Sequence, residues 1–83
     1  MPYMVGDIKV RKLSQTFGKV VRKRRLKLKL SQEAFAEKAE IHRTYVSAIE
    51  LGKVDIGIGV AHKVATALNT SLSKLFFEIE KNL

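Results

Sequence analysis

From about Ser14 the apolar positions of the chain fall into helical register. Phe17, Val20, Val21 and Leu28 share one stripe at i, i+3, i+4 and i+11, while Arg22, Lys23, Arg24, Lys27 and Lys29 take much of the remaining surface. This spacing predicts a basic amphipathic helix that ends near Leu26. Residues 1–12 show little periodicity, and Pro2 and Gly6 interrupt any helix there. They are expected to form a flexible N-terminal arm ahead of a domain spanning residues 13–83.

Further helix signals follow in close order. Ser31 is a suitable N-cap, and Glu33 suits the positive end of a helix dipole, so a helix is predicted from Gln32 to about Ala39. A turn at Glu40-Ile41-His42 leads into a helix from Arg43 to about Leu51, with Gly52 where a left-handed stop is wanted. Residues 53–58 read as a connecting loop. The next helix covers about 59–68, with Val60, Val64 and Leu68 in register and Asn69 as its left-handed stop. Ser71 caps a last helix whose stripe is Leu72, Leu75, Phe76 and Ile79. No strand-like alternation appears. The prediction is an all-α fold, a compact bundle of five short helices.

The helix pair within residues 32–51 is the most informative segment. Its apolar positions are Phe35, Ala36, Ala39, Ile41, Val46 and Ile49. Small residues at Ala36 and Ala39 let two helices cross closely, and Val46 and Ile49 anchor the second one. Arg43, Thr44 and Ser47 are then left facing out. A donor-rich face on a rigid helix suits the edges of DNA bases in the major groove.

Charge strengthens that reading through its distribution. The net charge is +8 over 83 residues, yet residues 1–30 hold ten Lys/Arg against one acid, and residues 31–83 hold six against seven. A field concentrated in the first third favours polyanions and speeds encounter with them. The run at 22–29, RKRRLKLK, would by itself also fit a targeting patch or a membrane-surface helix, readings that leave the other helices unexplained.

Other chemistry finds little support. The chain has no cysteine, and its two histidines, His42 and His62, lack nearby cysteines or paired acids, so no metal site is expected. Gly57 and Gly59 are not followed by Gly-Lys-Ser/Thr, so no phosphate-binding loop is read. No serine, histidine and acid stand in a catalytic spacing, and neither enzymatic activity nor a cofactor is expected. No apolar run approaches the roughly 18–20 residues that span a bilayer. The N-terminus lacks a secretory h-region. A soluble, cytoplasmic protein without a membrane partner is the expectation.

Three motifs carry a family resemblance. Leu-Ser-Gln-Glu-Ala-Phe-Ala at 30–36, Arg-Thr-Tyr-Val-Ser-Ala-Ile-Glu at 43–50 and Ala-Leu-Asn-Thr-Ser-Leu at 67–72 stand in the order and spacing of one family. The stretch from Phe17 to about Phe77 resembles the phage-repressor (Cro-like) helix-turn-helix family, whose fold is the lambda-repressor-like DNA-binding domain. The Arg-Thr-Tyr-Val-Ser run looks like that of restriction–modification controller proteins. The resemblance implies base-reading roles for Arg43, Thr44 and Ser47, and phosphate contact for Gln32. Placement adds His42, Tyr45 and Lys53 beside flanking phosphates, with Tyr45 equally able to be a core-edge aromatic. Arg25 and Glu50 match a paired Arg and Glu that tie the first helix to the third, a structural ion pair. Two positions depart from the family pattern: Lys29 and Glu40 stand where glycine is usual, which implies modest strain if φ is positive there.

The function expected from all this is a sequence-specific transcription regulator of double-stranded DNA, working as a homodimer on an inverted-repeat operator. Dimerisation is expected through the last two helices, with Leu72, Leu75, Phe76 and Ile79 at the interface. No small-molecule effector domain is expected. The alternative is an antitoxin of the same fold that binds a toxin and represses its own operon.

Overall fold

A computed structural model describes the backbone from Asp7 to Leu83 and the side chains from Val10 onward. Five helices follow in order: α1 (Asp7–Lys27), α2 (Gln32–Ala39), α3 (Arg43–Glu50), α4 (Ile58–Ala67) and α5 (Leu72–Lys81). No strand occurs among the described residues. The all-α bundle follows the periodicity of the chain, with one correction at its start. Residues 7–12, read as part of a flexible arm, are the first turns of α1; the rest of that arm lies outside the described residues. The reason is tertiary. Val10 and Leu13 continue the stripe of Phe17 and line a groove with Val54 and Ile56, and Ser14 Oγ donates to Asp55 Oδ1 at 2.6 Å. The loop after α3 thus gives the first turns of α1 a surface to lie on.

Local capping sets the short helices. The Ala34 N–H donates to Ser31 Oγ at 3.0 Å to open α2, and the Lys74 N–H donates to Ser71 Oγ at 3.2 Å to open α5. The stops are left-handed, as their positions imply. Gly52 has φ 71° and Asn69 has φ 60°. Lys29 and Glu40 adopt φ 59° and 58° without being glycine, so both turns carry the strain that the departures from the family pattern imply.

Helix α1 packs against α3 and α5, α2 against α3 and α4, and α4 against α5. Phe17, Val21, Phe35, Val46, Val64 and Leu75 fill the centre. A second correction concerns α5. Leu75 is 0% and Ile79 1% exposed, so neither has surface left for a partner subunit. Helix α5 packs on both α1 and α4, so its stripe is consumed inside its own chain. Leu72 is half-buried against the same core, which leaves Phe76 as the one expected interface residue with substantial free surface. Phe77, outside the stripe, is 69% exposed. Among the described residues, no helix is long and apolar enough to cross a membrane.

Candidate nucleic-acid interface

The exposed edge of α3 begins at its cap. His42 has extended backbone angles, and its Nδ1 accepts from the Thr44 N–H at 3.1 Å. One of the free donors at the helix start is thereby satisfied. Arg43 and Thr44 follow in the first turn, fully on the surface, and Ser47 lies one turn on, half-buried. Val46 and Ile49 are buried on the opposite side and hold this face outward.

The base of α3 is fixed by charge. Arg25 Nε donates to Glu50 Oε2 at 2.6 Å, and its second terminal nitrogen donates to Oε1 at 3.0 Å. Both side chains are buried. The remaining guanidinium nitrogen donates to the Leu30 carbonyl at 2.8 Å, so the fork also holds the turn that leads into α2. Gln32 Nε2 donates to Glu50 Oε1 at 3.1 Å. One network therefore links α1, the start of α2 and the end of α3, and no side-chain polar atom buried among the described residues lacks a partner. The ion pair expected from the resemblance forms as a bidentate contact.

The other expected contact residues sit around this frame. An amide nitrogen carries two hydrogens, so Gln32 keeps one donor after serving Glu50. His42 makes its contacts with Thr44 through Nδ1, which leaves its ring Nε2 for another partner. Tyr45 is half-buried and packs on the core with its ring, which answers to the core-edge reading and leaves the hydroxyl question to its exposed side. Lys53 is exposed immediately after the Gly52 stop and shares a shallow cleft with Arg11. Arg11 was not singled out from sequence, because α1 was not expected to reach it. The helical spacing of Val10 and Leu13 with Phe17 is the signal the sequence holds.

The basic surface of α1 is divided. Lys12, Lys19 and Lys23 border a cleft with Glu78 of α5 and Asn82, which caps its end, and Arg24 Nε donates to Glu78 Oε1 at 2.5 Å. Part of the positive field thus lies toward α5, and part, with Arg11, toward the end of α3. The described residues contain no group of three or more His, Cys, Asp or Glu that could hold a metal.

The sequence and the fold are similar to those of known proteins. The sequence profile of the helix-turn-helix family matches residues 21–75. Control protein C.MunI from Mycoplasma sp is 41% identical over 78 residues, covering 93% of this chain and 99% of that protein. Control protein C.SmaI from Serratia marcescens is 35% identical over 70 residues, covering 84% and 83% respectively. The crystal structure of the restriction-modification controller protein C.AhdI from Aeromonas hydrophila superposes with a TM-score of 0.72 at 34% identity, over 75% of this chain and 94% of that one. The matched residues include α2, α3 and the Arg25–Glu50 frame that orients them, and the chain belongs to the helix-turn-helix family and, within it, to the restriction–modification controller proteins.

Proposed function

We propose that this protein is a homodimeric, sequence-specific regulator of transcription that binds double-stranded DNA at an inverted-repeat operator and controls a restriction–modification operon. The observation that carries this reading is the exposed Arg43-Thr44 edge of α3, held on a frame of buried charge at Arg25 and Glu50. Arg43 donates two hydrogen bonds to guanine O6 and N7, a contact worth roughly 1–3 kcal/mol of discrimination. Thr44 and Ser47 read neighbouring bases. Gln32, His42, Tyr45 and Lys53 meet flanking phosphates and fix register.

Likeness to control protein C.MunI along 99% of its length supports a regulatory role. Dimerisation is supported by apolar surface that the fold leaves open. Ile58 is 77% exposed at the start of α4, beside the groove formed by Val10, Leu13, Val54 and Phe76. A dimer joined there presents two α3 helices to half-sites about 34 Å apart, one turn of DNA.

The test is a gel shift on the DNA upstream of the protein's own gene, with random duplex as competitor. The wild type is expected to prefer the upstream DNA, and its binding to fall steeply with salt. Arg43→Ala is expected to lose the preference. Full selectivity in that variant would refute the base-reading assignment.

A further inference from the structure

The His42–Thr44 contact carries more than a helix cap. Thr44 Oγ1 lies 2.6 Å from His42 Nδ1, the same nitrogen that accepts from the Thr44 backbone N–H at 3.1 Å. A backbone N–H can only donate, so Nδ1 carries no hydrogen. The ring hydrogen is then on Nε2. A hydroxyl facing an unprotonated nitrogen at that distance must be the donor. The single hydrogen of the Thr44 hydroxyl is therefore spent on His42, and what Oγ1 offers outward is lone pairs alone.

A free threonine hydroxyl turns to suit either a donor or an acceptor, and by itself discriminates poorly between bases. Here the rotation is stopped from within the protein. In the major groove the donors are the exocyclic amino groups of cytosine N4 and adenine N6, whereas guanine and thymine present acceptors at O6 and O4. We infer that His42 is a positioning residue for base recognition: it holds the hydroxyl hydrogen of Thr44, so that Thr44 selects an amino-bearing base edge, cytosine or adenine. This rests on the DNA-reading function proposed above, and adds to it the class of base read at one position.

The two residues lie two apart, both are exposed, and His42 leads into a helix anchored by Val46 and Ile49. The proposed device therefore needs no DNA-induced rearrangement. His42 Nε2–H remains available to a phosphate, so one ring serves both as an orienting acceptor and as a backbone donor.

The experiment is selection of bound duplexes from a random pool by four full-length proteins: wild type, Thr44→Val, His42→Gly and His42→Asn. Thr44→Val identifies the base position that depends on the hydroxyl. Wild type is expected to favour cytosine or adenine there by roughly tenfold, the scale of one base contact. Glycine starts a helix well but has no side-chain acceptor, so His42→Gly retains the fold and frees the hydroxyl. That variant also gives up the phosphate contact of His42 and with it some affinity, and is expected to admit guanine or thymine at the same position. His42→Asn restores a neutral acceptor and is expected to restore the preference, whatever its overall affinity. A consensus unchanged in His42→Gly, or a wild-type preference for guanine or thymine at that position, overturns the inference while leaving the DNA-reading function standing. A wild type that enriches no sequence overturns both.

Discussion

Gly18 of α1 lies so close to Ile49 of α3 that a Cβ added to it would stand 2.2 Å from the Ile49 carbonyl oxygen and 2.7 Å from that of Glu50. The first helix and α3 thus meet backbone to backbone at the end of α3 away from its exposed Arg43 and Thr44. The Arg25–Glu50 pair closes the same contact from the side. Distance and angle of α3 relative to α1 are therefore set by one missing methyl group and one pair of charges.

Gly18→Ala is expected to destabilise the fold despite alanine's better helix propensity. The propensity gain is about 1 kcal/mol, whereas forcing a methyl into packed backbone costs about 3 kcal/mol. A net loss of about 2 kcal/mol lowers the melting temperature of a domain of this size by roughly 10 °C. Thermal unfolding followed by circular dichroism measures it.

The two ion pairs should separate cleanly. Glu50→Ala leaves the buried Arg25 guanidinium without its partner and is expected to cost roughly 3–5 kcal/mol and to weaken DNA binding. Glu78→Ala removes the more exposed pair with Arg24, and is expected to cost less than about 1 kcal/mol. Urea titration of both variants tests the contrast. Equal midpoints would show that burial of the Arg25–Glu50 pair does not govern its worth.

Glu40 is left-handed at φ 58° and exposed, at the turn between α2 and α3. Glu40→Gly relieves strain of about 1–2 kcal/mol while adding somewhat less unfolded-state entropy. The expected outcome is a gain of up to about 1 kcal/mol, whereas Glu40→Val, with a β-branched side chain at the same φ, is expected to lose stability. Melting temperatures of the two variants check the sign.

Ile58→Glu places a charge in apolar surface that covers no core. It is expected to leave the stability of the isolated domain within about 0.5 kcal/mol of wild type. Sedimentation at micromolar concentration is expected to show monomer where the wild type shows dimer, with operator affinity falling in step. An unchanged dimer would move the interface elsewhere, Phe77 being the next exposed aromatic.

Much of the helical layout could be read along the chain. The period of Phe35, Ala36 and Ala39, the caps at Ser31 and Ser71 and the stops at Gly52 and Asn69 are local properties, determined by rotamers, backbone donors and φ preference over a few residues. The outward face of Arg43, Thr44 and Ser47 follows from the buried face of the same short helix. The Arg25–Glu50 pairing was legible only through a family pattern, because nothing in a sequence brings residues 25 apart together.

What tertiary structure decided is what each apolar stripe packs against. Hydrophobic period tells which side of a helix leaves water, and is silent on whether its own chain or a second copy covers it. The period of α5 thus assigns Leu75 and Ile79 to a dimer interface, and the bundle takes them into the core. Residues 7–12 show little periodicity of their own, and they are helical where Val10 and Leu13 lie beside the loop carrying Val54 and Asp55. The shared nitrogen of His42, like the closeness of Gly18 to Ile49, is a matter of ångströms in space. The sequence alone determined the central stretch of each helix and the chemistry on the face of α3; packing determined how far α1 extends, where that face points and what is left uncovered to pair with another subunit.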